Sequence, residues 1–317
     1  MKKVKTNSVG YINEIFPWLK ENFTFFSMRV KGLKNKEVEL AGILKEIDYY
    51  KNKYELTTGK KFQNASILEV GYGARPNRLI ALMSLGYDVR GIDLDKPILN
   101  GGFKDFLMVY QKNGFKRTFK SFIRFTLFDK HERNALNRVL QSVDARLRID
   151  EKRFLVGDAS FFELTAESID FIYSEDVFEH IPTESIRSLC KNLGQSLSPN
   201  GLALISPAIF SGIAGGHLVE WYPHTLDLDM SRNTEPWEHL RKRRYHADCY
   251  LNELRVKDFT EILKEYFELV EVLNIDSGLG KSFLTSEIRK ELKSFDEDEL
   301  LSHKWTFVCR KKVVNYL

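Results

Sequence analysis

Two glycines and two carboxylates carry the clearest chemical signal in the sequence. The apolar run SILEV (66–70) leads into Gly71 and Gly73, and glycine lets a backbone turn sharply and approach a ligand closely. Glu69 lies just before these glycines, and Asp93 ends the next apolar run, 20 residues after Gly73. At that spacing a carboxylate can accept hydrogen bonds from ribose hydroxyls. The pattern therefore predicts a crevice that binds a nucleoside.

The charge of this crevice restricts which nucleoside it can take. Pro76 stands where a dinucleotide-binding fingerprint would have its third glycine. Glu69 would repel a pyrophosphate but attract an ammonium or sulfonium group. A nucleoside that carries a positive charge and no phosphate describes S-adenosylmethionine, and a nicotinamide dehydrogenase is disfavoured.

The elements that must position these residues alternate between strands and helices from Ser66 onward. This alternation is typical of a doubly wound α/β domain with an open sheet. The predicted strands are 66–70, 87–93, 153–158, 168–174, 202–207, 267–274 and 305–311, with helices at 78–86, 184–197 and 257–267.

Two segments lie outside this alternation. Residues 1–60 are predicted to form a helical N-terminal extension that precedes the main domain, 61–317. Residues 99–150, after the second strand, form an insertion that is too long for a plain helical connection. The apolar residues that give the extension its helical spacing are Leu40, Ile43, Leu44, Ile47 and Tyr50.

The insertion is basic and rich in aromatic residues. From Lys104 to Arg153 there are 13 Lys or Arg and 6 Asp or Glu. Two interpretations stay open. In one, the segment is a helical lid whose aromatic side chains pack inward and whose charges are solvated. In the other, it is a basic wall that holds an anionic acceptor or a membrane surface. The interleaved aromatic residues are Phe106, Tyr110, Phe115, Phe119, Phe122, Phe125 and Phe128.

Composition excludes several classes of protein. With 317 residues, 43% hydrophobic and 29% charged, the chain has the material for a core and is not disordered throughout. A net charge of +4 is too weak to indicate nucleic acid. The three cysteines are far apart, which disfavours a disulfide framework and a zinc–thiolate site. Without a long apolar run or an uninterrupted signal-peptide core, the chain is predicted to be soluble and cytoplasmic.

Residues 66–210 resemble the class I S-adenosylmethionine-dependent methyltransferases. The resemblance implies an enzyme with a seven-stranded, mostly parallel sheet whose last strand is antiparallel, and S-adenosylmethionine as the cofactor. A looser likeness is to bacterial methyltransferases that modify sugars or glycan precursors. The motifs that carry the resemblance are EVGYG (69–73), GIDLD (91–95), VGDAS (156–160), SIDFIYSEDVFEHIP (168–182) and LSPNGLALIS (197–206).

The resemblance also implies a role for each motif. The glycine turn would line the methionine moiety, Asp93 would bind the ribose, and Asp158 would accept from the adenine amino group. Asp95 stands where a serine is common, so whether Asp93 or Asp95 meets the ribose stays open. The full set implied to bind the cofactor is Glu69, Gly71, Tyr72, Gly73, Asp93, Leu94, Asp158, Ala159 and Ser174.

Two histidines are the candidates for catalysis. His180 follows the fourth predicted strand and His217 follows the fifth, so both are expected at the same mouth of the sheet. Either could act as a base or orient the acceptor. Four residues also resemble the metal-binding set of small-RNA 3′-terminal methyltransferases, although the favoured interpretation has no metal. They are Asp176, Glu179, His180 and His217.

The leading hypothesis is methyl transfer from S-adenosylmethionine to a small-molecule or glycan-like acceptor, with a hydroxyl oxygen favoured. The irregular segment 215–254 would contribute the acceptor pocket, with Arg241, Arg243 and Arg244 available for a phosphate or carboxylate. Two alternatives stay open: a metal-dependent RNA methyltransferase, and a non-catalytic module that binds S-adenosylmethionine. A nucleic-acid or membrane partner is disfavoured, and the oligomeric state is left open.

Overall fold

A computed structural model describes residues 36–312, except residues 246 and 248 and except the side chains at 112, 113, 116, 117 and 120. Residues 1–35, most of the predicted N-terminal extension, lie outside it. The chain forms two compact units. One contains the described residues up to Asp48 together with Ile98–Ile149, and the other contains Tyr49–Pro97 together with the described residues from Asp150 onward.

The larger unit is built on a seven-stranded sheet with the order β3-β2-β1-β4-β5-β7-β6. The first five strands are parallel, and β7 runs antiparallel to both β5 and β6. This confirms the predicted fold class. The strands are β1 Ser66–Val70, β2 Asp88–Asp93, β3 Phe154–Val156, β4 Ile169–Glu175, β5 Leu197–Ser206, β6 Phe267–Asn274 and β7 Trp305–Lys311.

Nine helices, some of a single turn, lie among the described residues. None of them is both long enough and apolar enough to cross a bilayer. They are α1 Lys36–Thr58, α2 Asn77–Ser84, α3 Phe103–Arg124, α4 Lys130–Gln141, α5 Thr183–Ser196, α6 Glu238–Arg241, α7 Val256–Tyr266, α8 Ser286–Glu291 and α9 Glu297–Leu300.

Apolar side chains cover both faces of the sheet, as a mostly parallel sheet requires. On one face, the ring of Phe171 packs against Tyr50, Tyr54 and Phe62, with ring centroids 5.2–5.9 Å apart. On the other face, α5 and α7 contribute to a larger core, which includes Leu68, Ile172, Ile186, Leu189, Leu193, Phe259 and Leu263. Both layers hold the parallel strands in register, so their carboxyl ends form one edge.

A second, smaller core lies within the same unit and was not predicted. Trp221 and Trp237, from the irregular segment after β5, pack with Ile288 and Leu292 from the segment between β6 and β7. Arg232 lies over the rings of Trp221 and Phe283, 5.0 Å from each centroid. The segment after β5 is therefore held by packing, although it has little regular secondary structure.

The smaller unit contains α3, α4 and the π-helical turn Phe125–Asp129 between them. Phe125 and Phe128 are each 5% exposed, whereas Phe115, Phe119 and Phe122 are 71%, 54% and 49% exposed. Inward packing, one of the two interpretations of the insertion, therefore holds for Phe125 and Phe128 but not for Phe115, Phe119, Phe122 or Tyr110, which is 52% exposed. A helix has only one buried face, and the π-helical turn directs Phe125 and Phe128 toward it.

Candidate active site

The turn after β1 requires glycine at position 71. Gly71 has a φ of +81°, and its N–H donates to the carbonyl of Ile92 at 2.8 Å. A Cβ at this position would lie 2.3 Å from Cγ2 of Val177, which follows β4. Both the left-handed backbone and the close approach of Val177 exclude a side chain. The turn is consequently tight enough for its backbone to contact a ligand.

Asp93, at the end of β2, binds this turn through its carboxylate. Its Oδ2 accepts from the N–H of Gly73 at 2.8 Å, and its Oδ1 accepts from the N–H of Asp95 at 3.1 Å. Burial raises the pKa of Asp93, and the two N–H donors oppose that shift by lowering it. A carboxylate has about four acceptor positions. The N–H of Leu94 also interacts with this carboxylate, so at least one position remains for a ribose hydroxyl once the turn is bound.

Glu69 is a buried carboxylate next to the turn. It is 4% exposed, and its Oε2 has no hydrogen-bond partner among the described residues. Burial raises the pKa of Glu69 to about 7, although the positive charge of Arg78 lowers it. A buried carboxylate oxygen without a donor favours a cationic ligand, since a positive charge there would stabilise the ionised form.

The end of β3 completes this edge of the sheet. The N–H of Gly157 donates to the carbonyl of Asp93 at 2.9 Å, which ties the two strand ends together. Asp158 is exposed, and its Oδ1 accepts from the N–H of Ser160 at 2.9 Å. The side chain of Leu94 is 61% exposed on the neighbouring loop. An apolar surface next to an exposed acceptor suits the ring and the amino group of an adenine.

Tyr72 and Ser174 use their side chains for structure. The hydroxyl of Tyr72 donates to the carbonyl of Leu155 at 3.0 Å, and the ring packs edge-on against Phe154. The hydroxyl of Ser174 donates to the carbonyl of Val70 at 2.9 Å, and the residue is 1% exposed. Only their backbone groups are available to a ligand.

His180 and His217 come together after β4 and β5, as the sequence predicts. Their ring centroids lie 5.0 Å apart and the rings are nearly perpendicular, at 87°. Nδ1 of His180 lies 3.0 Å from the carbonyl oxygen of Tyr250. Because a carbonyl only accepts, Nδ1 must carry the hydrogen, and in the neutral ring Nε2 keeps its lone pair. The contact therefore makes Nε2 the basic atom of His180.

His217 is neutral at physiological pH. Burial, with smaller contributions from His180 and His303, lowers the pKa of His217 to about 4. Its backbone is left-handed, with a φ of +54°. Its ring lies edge-on to Tyr222 at 6.0 Å, and Tyr222 stacks on His224 at 5.8 Å. A row of aromatic rings therefore runs from His180 and His217 through Tyr222 to His224.

Cys249 joins the histidine pair. Its Sγ lies 3.9 Å from Nδ1 of His217, and one ligand atom from each of His180, His217 and Cys249 fits within 4.8 Å. The carboxylate of Asp176 pairs instead with Nζ of Lys304 at 2.8 Å. Glu179 is 4% exposed, and burial raises its pKa to about 8. Asp176 and Glu179 therefore do not belong to the group of three residues whose ligand atoms lie within 4.8 Å of one another.

Sequence comparison decides the family. A profile described as "Methyltransferase domain" matches residues 45–271, which is most of the chain. The chain belongs to the methyltransferase domain family. It is an enzyme, and its cofactor is S-adenosylmethionine. The glycine turn, which leaves no room for a side chain, and the unpartnered Oε2 of Glu69 both fit this cationic nucleoside.

Many solved structures are similar to this methyltransferase, and three of them illustrate the range. One is an S-adenosylmethionine-dependent methyltransferase from Mesorhizobium loti, with 13% identity over 78% of this chain and 92% of that one, at a TM-score of 0.39. Another is phosphoethanolamine N-methyltransferase 2 from Haemonchus contortus, in complex with S-adenosyl-L-methionine. It has 18% identity over 83% of this chain and 53% of that one, at a TM-score of 0.41.

The third is geranyl diphosphate C-methyltransferase from Streptomyces coelicolor A3(2), in complex with Mg²⁺, geranyl diphosphate and S-adenosyl-L-homocysteine. It has 9% identity over 82% of this chain and 79% of that one, at a TM-score of 0.42. No curated protein sequence matches the chain significantly.

Three residues of this methyltransferase that the motifs did not indicate contact the two histidines or the loop after β4. Tyr250 supplies its carbonyl to His180, and Cys249 approaches His217. Asn252 donates from Nδ2 to the carbonyls of Phe178 and Ile181, at 2.7 and 2.9 Å. All three lie in an irregular segment, where no periodicity indicates which side chains turn inward.

The arginines expected to hold an anionic acceptor are already paired in this methyltransferase. Arg241 contacts Glu235 and Glu291, at 2.9 and 2.6 Å. Arg243 lies 2.7 Å from Glu253, and Arg244 lies 2.9 Å from Glu238. An acceptor phosphate would have to displace these carboxylates.

Glu220, three residues after His217, also has a structural role. Its Oε1 accepts from the N–H groups of Asn233 and Thr234, both at 3.0 Å, and from the hydroxyl of Thr234 at 2.9 Å. This carboxylate holds the turn at 233–234, so its oxygen is occupied before any metal or acceptor binds.

Proposed function

We propose that this methyltransferase transfers a methyl group to a hydroxyl oxygen of a small-molecule, glycan-like acceptor, with Nε2 of His180 as the base. The observation that carries the proposal is the 3.0 Å contact between Nδ1 of His180 and the carbonyl of Tyr250. A sulfonium needs little help from the protein, but a hydroxyl acceptor must lose its proton. An imidazole whose tautomer is fixed by a main-chain carbonyl is suited to take it.

The chain's own residues would divide the work as follows. Gly71, Gly73 and Glu69 would hold the methionine part of the cofactor, Asp93 the ribose, and Asp158 with Leu94 the adenine. Ala159 and the backbone of Tyr72 and Ser174 would complete that pocket. Bound S-adenosylmethionine supplies a methyl carbon, which the acceptor oxygen attacks while the electrons of the broken C–S bond stay on sulfur. His180 would receive the hydroxyl proton and pass it to water.

The aromatic row supports a sugar-like acceptor. Sugars present apolar C–H faces that pack on aromatic rings, while their hydroxyls reach polar groups. The rings of His217, Tyr222 and His224 lie in sequence, and Tyr250 is 55% exposed beside His180. A ring packed on this row would have a hydroxyl near the two histidines.

The test combines two variants with a panel of acceptors. His180→Asn keeps a donor close to the position of Nδ1 but has no basic nitrogen, so kcat should fall by roughly 10²–10⁴-fold. Affinity for S-adenosylmethionine, measured by calorimetry, should change little. His217→Asn should lower kcat less, because it orients the acceptor and does not take the proton. The panel should contain matched pairs of sugar hydroxyl and amino-sugar substrates.

Two outcomes would contradict the proposal. One is an unchanged kcat in His180→Asn with a hydroxyl substrate. The other is methylation of the amino sugars at nitrogen while the hydroxyl partners are left untouched.

A further inference from the structure

The helical insertion presents apolar side chains to solvent along one stripe. On the second half of α3, Phe115, Phe119 and Phe122 are spaced i, i+4 and i+7, the repeat of one helical face. They are 71%, 54% and 49% exposed, and Phe115 stacks on Phe119 with ring centroids 6.2 Å apart. A helix that packs only on its own unit would turn such a stripe inward.

The opposite side of the same segment is buried. Ser121 is 6% exposed, and Phe125 and Phe128 are each 5% exposed. Gly101 leaves room for the Phe125 ring, since a Cβ there would lie 2.0 Å from it. These three positions are packed, so the aromatic stripe is a second, exposed apolar face of the segment.

Other apolar side chains of α3 and the turn after it are also exposed, although Gly114, with a φ of +73° and a ψ of 178°, interrupts the helix before the aromatic stripe. Leu107, Met108, Ile123 and Leu127 are 36–51% exposed, and Phe103, at the start of α3, is 80% exposed. An exposed apolar area of this extent indicates a partner that takes the apolar side chains out of water. The four aliphatic side chains, unlike the phenylalanines, offer no surface for stacking bases, so the mixed face fits an apolar environment better than a single-stranded nucleic acid.

Charge indicates the kind of partner. Helix α3 contains six Lys or Arg and a single Asp, Asp105, whose carboxylate accepts from the N–H groups of Asn100 and Gly101. Residues 1–35 contain seven Lys or Arg and two Glu. That segment would be repelled by a basic helix, as would a second copy of the same helix. The complementary partner is therefore apolar and anionic.

We propose that α3 and the π-helical turn form a surface that binds the interface of an anionic lipid bilayer. A basic helix with aromatic and aliphatic side chains on one face can lie in the plane of the membrane, its rings among the acyl chains and its cations at the headgroups. The enzyme would then work next to the bilayer. This proposal does not depend on the acceptor or on His180.

Vesicle sedimentation with the full-length protein tests the proposal. The wild type should sediment with vesicles that contain phosphatidylglycerol, bind phosphatidylcholine vesicles far more weakly, and lose binding as salt is raised. The double variant Phe115→Gln/Phe119→Gln should bind the anionic vesicles at least roughly tenfold less, since buried apolar area contributes to interfacial binding. Leu56→Gln, at another highly exposed helical position, is the matched control and should bind like the wild type.

Other outcomes would overturn the proposal. Equal sedimentation of the wild type and the double variant would mean that the stripe does not contact lipid. If the wild type stayed in the supernatant, and light scattering showed a dimer that the double variant disrupts, the stripe would be a contact between copies. Salt-sensitive retention on RNA without vesicle binding would assign the face to nucleic acid. Affinity for S-adenosylmethionine, measured for each variant, verifies folding.

Discussion

Glu69 on β1 and Tyr173 on β4 are buried register partners in adjacent strands; neither Oε2 of Glu69 nor the Tyr173 hydroxyl meets strict hydrogen-bond geometry, although the neighbouring hydroxyl lowers the pKa of Glu69. Burying polar atoms without partners is costly. Natural proteins tolerate the cost where a ligand or a proton supplies the missing partner. Here a proton can do so in the free enzyme, because burial raises the pKa of Glu69 to about 7.

We expect S-adenosylmethionine to release a proton when it binds. A positive ligand favours the ionised Glu69, so affinity should rise with pH by up to about tenfold per unit below pH 7 and level off above it. Calorimetry in buffers of different ionisation enthalpy measures the released proton. Glu69→Gln should bind weakly and without this pH dependence, whereas Glu163→Gln, an exposed control, should behave like the wild type. Proton release that persists in Glu69→Gln would contradict the assignment.

The same carboxyl group predicts a trend in stability. Its pKa is higher in the folded protein, about 7, than its usual value of 4.5, so the folded state binds more protons between these pH values. The free energy of unfolding therefore falls as pH rises from 4.5 to 7, because the folded protein loses a proton that it binds more tightly than the unfolded chain does. Glu69→Gln should have a larger free energy of unfolding than the wild type at pH 8 in urea titrations. A lower value at that pH would show that the ionised carboxylate is well compensated.

Two glycines in one turn should respond differently to alanine. Both have positive φ, which costs an alanine roughly 1–2 kcal/mol, but only Gly71 also faces Val177 at clashing distance. Gly71→Ala should therefore lower stability more than Gly73→Ala and abolish binding of S-adenosylmethionine. Gly71→Ala/Val177→Ala should recover part of the stability. Equal losses in the two single variants would mean that Val177 moves aside easily.

His217 should make the protein sensitive to acid. Its folded-state pKa, about 4, lies below the ordinary value of 6.5, so the unfolded chain binds more protons between these values. The contribution of neutral His217 to the free energy of unfolding is complete above pH 6.5 and decreases as pH falls toward 4. His217→Asn should remove roughly 1–2 kcal/mol of the difference in unfolding free energy between pH 7 and pH 5. An unchanged difference would show that the imidazole is more hydrated than its burial indicates.

Activity should survive metal chelation, because the proposed base is an imidazole. Incubation with EDTA should leave kcat unchanged, and Cys249→Ser should also leave it unchanged. If EDTA abolished activity and a divalent ion restored it, the metal-dependent RNA methyltransferase would become the better hypothesis. A metal content that falls in Cys249→Ser would then place the ion on His180, His217 and Cys249.

The strands around the cofactor could be predicted almost to the residue. SILEV is a continuous apolar run that ends in a glycine, and β1 covers the same residues, 66–70. Buried parallel strands can be recognised as continuous apolar runs because both of their faces are covered. The predicted β5 began at 202, whereas the strand begins at Leu197 and passes through Pro199 and Asn200 with a shift in register.

The surroundings of the two candidate catalytic histidines were predictable only in part. His180 and His217 follow two neighbouring parallel strands, so the topology alone brings them to one edge. Cys249, Tyr250 and Asn252 reach the same place through a segment held by the small core of Trp221 and Trp237. That core joins residues more than 60 positions apart, such as Trp237 and Leu300, whose carbonyl accepts from the indole N–H. Local sequence patterns do not predict a contact between residues so far apart in the chain.

Position 250 acts on His180 through a main-chain atom, because its carbonyl, not its side chain, meets Nδ1. Any amino acid at that position retains this carbonyl. The phenol ring of Tyr250 can consequently be replaced without removing the contact that fixes the tautomer of His180 in the proposed mechanism. In this arrangement, the side chain at position 250 can change which acceptor is preferred, while the peptide carbonyl at the same position keeps its contact with His180.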